Sequence, residues 1–216
     1  MKVFYEDKNL IVVEKPAGVE SQSSGGFDED MVSLIRKHLP DTGKEPYVGV
    51  VHRLDRMVSG VMVYALDPKT AAELSAQVAG QGLTKTYQAI LAGIPRDKKG
   101  ELRDYLVKDG AANVTKVCDA KTKGAREAVL RYKVLENKYV GGRQYARVEI
   151  ELVTGRHHQI RVQFGSRGWP VAGDAKYGYQ GDPEPIALAA TELRFIHPKS
   201  RKEMRFRYDW NRNICQ

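Results

Sequence analysis

The sequence predicts an α+β protein built on a mostly antiparallel, mixed β-sheet with flanking helices. Two observations carry that expectation. Strand-like runs outnumber helical ones, and successive strands follow one another as hairpins instead of alternating with helices. A third narrows the class: no GxGxxG or GxxxxGK[ST] stretch occurs, so nucleotide-cofactor folds drop away.

Taken in order, "NLIVVEKPAG" is a buried strand closed by Pro16 and Gly18. A polar loop, "ESQSSGGF", leads to a helix for which Asp28 is the expected N-cap, with Met31, Leu34, Ile35 and Leu39 on one face and Pro40 as its stop. "PYVGVVHRL" and "GVMVYAL" are two β-rich runs meeting at Asp55 to Ser59. "DPKTAAELSAQVAGQG" has Asp67 at the N-cap, Pro68 at the first helical position, Gly80 or Gly82 at the exit, and Leu74 and Val78 on the buried side. "TKTYQAILAGI" is the next strand. Residues 96–126 are basic and polar and read as an insertion of short strands and loops. "AVLRYKVLEN" and "YARVEIELVTG" are strands, "HHQIRVQFGSRG" is a short helix, and "RFIHPKSRKEMRFRYDW" is a closing hairpin. No repeat appears, and no linker divides the chain.

Composition bounds the function. With 216 residues, 42% hydrophobic and 29% charged, the chain can bury a sizeable core, and disorder is excluded. Thirty-five Lys and Arg against 27 Asp and Glu give a net charge of +8, which favours a polyanionic partner, nucleic acid before membrane. Cys118 and Cys215 belong to no CxxC or Cys/His cluster, which argues against zinc and suits a reducing cytoplasm. The charged N-terminus is no signal peptide, and no apolar run reaches the roughly 20 residues of a membrane span.

Three stretches could carry chemistry. In "VHRLDRMVSG", Arg53 and Asp55 share one face of an extended chain, with His52 and Leu54 on the other. Asp55 is either half of an ion pair pinning a turn or, at a strand junction beside a glycine, a carboxylate acting as base or nucleophile. In "LVTGRHHQIRVQF", adjacent His157 and His158 would point about 100° apart on a helix and share a metal poorly. The opening of that helix with Arg156 is either a hydrogen-bonded turn or an anion site, and Arg161, beside Ile160, wants a carboxylate partner. Tyr87, inside an apolar strand, is either core or a stacking platform for a base. Residues 194–212 carry seven Lys or Arg against two acids, a solvated hairpin face or a phosphate-tracking one.

Together, "EKPAG", "HRLDRMVSG", "KTYQA", "VTGRHHQIRVQ", "GDAKYG" and "ATELRFIHP", in that order from residue 10 to about 208, resemble the RluA-type family of pseudouridine synthases. The resemblance implies a pseudouridine synthase-like fold with a basic central cleft. It implies one catalytic domain over residues 1–216, with no separate N-terminal RNA-binding module. The implied enzyme is a cytoplasmic monomer that isomerises uridine in ribosomal or transfer RNA to pseudouridine, without metal or cofactor and without membrane attachment. Asp55 then aligns with the catalytic aspartate, Tyr87 with the active-site tyrosine and Arg161 with the basic residue pairing with that aspartate. Arg53 corresponds to an arginine near the flipped-out nucleotide. His52, Arg156, His158 and Gln159 match motif positions, and Arg56 would address RNA.

Some positions depart from the family pattern. Val58 stands where a threonine is usual, Glu20 and Ser21 lie where a histidine is usual, and Ala189 replaces a frequent histidine. Two other readings compete: a non-catalytic RNA-binding protein on the same scaffold, and a nucleic-acid hydrolase with His52, His157 or His158 as base.

Overall fold

The computed structural model describes residues 1–23, 29–181 and 185–213. In chain order these give β1 (Val3–Glu6), β2 (Leu10–Lys15), α1 (Met31–His38), β3 (Gly49–Val50), β4 (Ser59–Ala65), α2 (Pro68–Ala79), β5 (Thr84–Ala92) and β6 (Lys99–Asp109). There follow β7 (Val114–Cys118), β8 (Arg126–Val140), β9 (Arg143–Leu152), α3 (Gln159–Gly165), a 3-10 turn (Ala175–Tyr177), β10 (Leu188–Ile196) and β11 (Glu203–Arg207). The chain divides into two compact units, residues 1–85 with 190–210, and residues 86–189 with those from 211 onward. Two of the three boundaries fall inside strands, β5 and β10, which is why no change of composition marks them.

In the first unit the strands run β1-β2-β4-β10, with β3 on β4 and β11 on β10. The pairs β1–β2, β2–β4, β3–β4 and β10–β11 are antiparallel. Leu10 and Val12 pack with Val61, Val63, Ala65, Leu193 and Phe195 around Leu74 of α2. Successive strand side chains alternate, so Ile11, Val13 and Lys15 point to the other face of the sheet. Asp67 caps α2 through Thr70 N–H at 2.9 Å, with Pro68 next and Gly80 at its end, as the punctuation predicts. Val78, expected inside, is 37% exposed, and Leu83 beyond the turn packs in that core. Asp28 lies outside the described residues; the cap of α1 is Asp30, which accepts from Ser33 N–H at 2.7 Å.

Gly60 sets the closest approach in this unit. It pairs with Lys15 across β2–β4 and has φ of +140°. A Cβ there would stand 2.3 Å from Ala190 O and 2.6 Å from Ala190 N. Gly60→Ala combines a strained backbone with a main-chain clash, and should cost about 3 kcal/mol or more. Urea unfolding of the two proteins will read it as a lower midpoint at unchanged slope.

The second unit is ordered β5-β9-β8-β6-β7, and every pair between β9 and β7 is antiparallel, as is β5–β9. Residues 96–126 are therefore not an insertion of short strands. β6 has 11 residues, pairs with β8, and buries Leu102 and Leu106. Asp104 sits between those two leucines and hides their alternation. It can face inward because Arg167 (2.9 and 3.1 Å) and Gln163 Nε2 (2.7 Å) receive its carboxylate. Across this face Val162 of α3 packs on Leu106 and Ala128, and Tyr132 meets Phe164 edge-on at 5.6 Å.

Candidate active site

The first unit carries Asp55. Of the run "PYVGVVHRL", only Gly49–Val50 is strand; beyond it, side chains from elsewhere hold the main chain at residues 54 and 56. Ser21 Oγ donates to Leu54 O (3.0 Å) and accepts from Leu54 N–H (3.1 Å). The wholly buried Lys15 donates its three protons to Pro16 O (2.9 Å), Val19 O (2.7 Å) and Arg56 O (3.0 Å). Gly18 N–H also reaches Arg56 O, at 2.8 Å, and Arg56 Nε reaches Gly18 O at 2.9 Å. Asp55 is half-buried in the turn closed by Val58 N–H on its carbonyl at 3.0 Å.

Burial pushes the Lys15 ammonium down to about 8, and the negative charge of Asp55 pulls it back up. At neutral pH an ammonium with three carbonyl acceptors thus lies under the loop that presents the carboxylate. Lys15, which braces this loop, has no role assigned from the sequence. The signal was parity: in "LIVVEKP" it occupies the same inward register as Ile11 and Val13.

Arg53 and Arg56 are exposed beside Asp55. His52, expected to meet RNA, is instead a core residue, 6% exposed. Its Nε2 accepts from Val63 N–H at 3.1 Å, and its Nδ1 lies 3.4 Å from Lys85 Nζ. Burial and the Lys85 charge hold His52 well below its ordinary value, and burial brings Lys85 down to about 8.

The second unit carries Tyr87 and Arg161. Tyr87 lies on β5, paired with Ile150 of β9, and is 5% exposed. Arg161 is buried, and the carboxylate its burial requires within this unit is Asp174: Nε to Oδ2 is 2.6 Å and Nη2 to Oδ1 is 2.9 Å. Its guanidinium also lies 5.0 Å from the centre of the Tyr177 ring, within cation–π range. Asp174 and Tyr177 both come from "GDAKYG", a stretch noted in the sequence without a role for its side chains.

His157 and His158 are not on a helix, and the 100° separation does not apply. His158 is the left-handed N-cap of α3 (φ 50°), and the two rings stack with centres 3.7 Å apart. Each is tied elsewhere, His158 Nδ1 to Tyr177 Oη (2.7 Å) and His157 Nδ1 to Thr115 Oγ1 (2.8 Å). No metal-holding cluster of His, Cys, Asp or Glu occurs among the described residues. Gln159, also expected at RNA, is buried and braces the turn, its Oε1 accepting from Thr154 Oγ1 (2.8 Å) and Arg156 N–H (2.9 Å). Arg156 in turn gives Nε to Glu127 O at 2.8 Å. At this helix start Gln159 Oε1, Arg156 N–H and Arg156 Nε are occupied in building the turn, while the buried Gln159 Nε2 has no hydrogen-bond partner among the described residues. Asp55 belongs to one unit and Tyr87 and Arg161 to the other.

Burial, then the Arg161 charge, lowers His158 to about 3. An imidazole pushed down in the fold binds fewer protons there than in the unfolded chain. Stability is therefore complete above the ordinary histidine value near 6.5 and falls as the pH drops toward about 3. His52 acts with the same sign. Each contributes up to about 1.4 kcal/mol per pH unit in that window. Thermal melts between pH 7.5 and 5 should fall steeply, and His158→Gln should flatten the curve.

The comparisons with known proteins agree with one another. The family model described as RNA pseudouridylate synthase matches residues 9–166. The ribosomal large subunit pseudouridine synthase D of Pseudomonas aeruginosa is 32% identical over 87% of this chain, which spans only 56% of that protein's length. The tRNA pseudouridine synthase C of Vibrio vulnificus is 31% identical over 94% of this chain and 88% of its own length. The solved structure of human RNA pseudouridylate synthase domain containing 1 superposes with a TM-score of 0.78 at 23% identity, covering 96% of this chain and 82% of the human one. No helix among the described residues is long and apolar enough to cross a membrane. A family match over most of the chain, together with relatives above 30% identity, places the protein: it belongs to the RNA pseudouridylate synthase family.

Proposed function

We propose that this chain isomerises specific uridines of structured RNA, ribosomal or transfer, to pseudouridine. The observation that carries the reading is the Asp55 loop, a carboxylate presented between two exposed arginines over the buried ammonium of Lys15. The relatives' names point to large-subunit ribosomal RNA and to transfer RNA as the two substrate classes.

In the reaction the N1–C1′ bond breaks, the base turns over, and C5–C1′ forms. The C5 proton is lost and N1 gains one, so no water is consumed and no cofactor is required. The uridine must leave its stack, at a cost of a few kcal/mol, offset by phosphate contacts to a basic surface. Asp55 begins the reaction as nucleophile at C6 or C1′, or as base at C2′. Arg161, held by Asp174, is the basic residue this reading assigns to Asp55. Tyr87 stacks on the uracil and relays the C5 proton through its hydroxyl, passing its own proton on as it accepts that one. Arg53 and Arg56 address the RNA around the target. The enzyme acts as a cytoplasmic monomer with RNA as its partner.

Release of tritium from RNA labelled at C5 of uridine, by purified protein without added cofactor, tests the reading. Release that rises with enzyme concentration is expected. Folded protein that releases none from either ribosomal or transfer RNA would overturn it.

A further inference from the structure

The β10–β11 hairpin holds a charge cluster that the reaction above does not use. Cross-strand register sets Glu192 opposite Arg207, and Arg194 opposite Arg205. Leu193 and Phe195 pack toward α2, with Met204 and Phe206 against the same core. Alternation therefore turns Glu192, Arg194, Arg205 and Arg207 to the opposite face of the sheet, the face to which Lys15 points. Glu192 receives Arg205 Nη2 at 2.9 Å, Arg207 Nε at 2.8 Å and Arg194 Nε. Its carboxylate is only 11% exposed, whereas the three arginine side chains remain 44%, 44% and 69% exposed.

One carboxylate needs one guanidinium to be neutralised, and Glu192 has three; with Glu203 on the same face by the same alternation, the face keeps a surplus of one positive charge. Elsewhere the same protein balances such clusters: on β6 and β8, Arg103 and Arg131 share Glu101 and Glu127 with no excess. Those three partners hold Glu192 down to about 2, so protonation does not remove the anchor at any ordinary pH. Each guanidinium has five N–H donors in a fixed fork, and one carboxylate cannot use them all. The result is a rigid row of outward donors, spaced along a strand and across to its neighbour.

We propose that this hairpin face is a docking surface for the RNA backbone, on which Arg194, Arg205 and Arg207, gathered around Glu192, neutralise phosphates flanking the target through their excess positive charge. Charge complementarity selects the occupant, since planar bidentate donors with surplus charge match phosphodiester oxygens. That the polyanion is RNA rests on the function proposed above.

The test uses the full chain, a fluorescein-labelled RNA stem–loop of mixed sequence, and anisotropy titrations from 50 to 300 mM salt. Arg205→Gln/Arg207→Gln should weaken binding about 10- to 50-fold near 0.1 M salt and flatten the log–log salt slope by roughly 1.8, two phosphate contacts. The more exposed Arg207→Gln alone should give about half the slope change. Arg103→Gln, which removes a charge from a balanced cluster, should change neither. Glu192→Gln keeps all three arginines and adds a charge, so it should bind as tightly or more tightly with a steeper slope. A purely structural cluster would instead lose binding in Glu192→Gln, and that result overturns the proposal. So does an unchanged affinity and slope in Arg207→Gln. Loss of binding to vesicles containing phosphatidylglycerol, with RNA binding intact, would reassign the face to membrane. Tritium release from the same wild-type sample separates the two readings. Release with salt slopes unaltered in the variants sinks only the docking face; no release with altered slopes sinks only the isomerase.

Discussion

Asp55→Asn is expected to lower tritium release by at least about 10³-fold, since it removes the group proposed to act as nucleophile or base. The amide is nearly isosteric, and the loop's fixed points are main-chain groups: Leu54 N and O, Arg56 O and the Val58 N–H bond to Asp55 O. The fold and RNA affinity should therefore survive, and kcat should carry the loss while KM stays near its wild-type value. Lys15 provides a second readout. With the Asp55 charge gone, nothing from that residue opposes desolvation, so the Lys15 ammonium should titrate below about 8. Activity of Asp55→Asn within tenfold of wild type would remove Asp55 from the chemistry.

Asp174→Ala is expected to cost about 3–5 kcal/mol in chemical unfolding, because it leaves a guanidinium buried without its carboxylate. The exposures of 7% for the Arg161 side chain and 1% for Asp174 make this a core ion pair. Tyr177 would lose order as well, since its ring lies against Arg161 and its hydroxyl accepts from Thr115 N–H at 2.9 Å. Arg161→Met/Asp174→Leu should recover most of the stability by replacing the pair with apolar groups of similar size. It should not recover turnover if Arg161 also serves Asp55. Recovery of both would make the pair purely structural. Arg161→Ala alone will lower stability and turnover together, so only the double variant separates the two roles.

The strands and helices were legible wherever one period ran uninterrupted. Asp67–Pro68 and Gly80 marked α2, and "LIVVEK" marked β2. β6 was lost because Asp104 occupies an inward position, satisfied by Arg167 and Gln163 from sixty residues away. The start of α3 was misjudged because His158 takes a left-handed conformation, which no helical wheel anticipates. At the site, the sequence pointed to Asp55, Tyr87 and Arg161 by motif, and assigned Arg161 a carboxylate. It could not name Asp174 as that carboxylate, since a buried pair leaves no local pattern when its halves are 13 residues apart on different elements. The motif positions of His52 and Gln159 predict RNA contacts. Their side chains instead replace backbone partners that irregular segments lack.

The manner in which the Asp55 loop is gripped has an evolutionary consequence. Lys15 reads the carbonyls of residues 16, 19 and 56, and Ser21 reads both polar groups of residue 54. None of these contacts depends on which side chains the loop displays. Arg53 and Met57, both exposed, can therefore drift under selection for a different RNA while the carboxylate keeps its post, whereas Arg56 also ties its Nε to Gly18 O. Such a division lets one scaffold diversify its targets by surface exchange alone, with the reactive group insulated from the change.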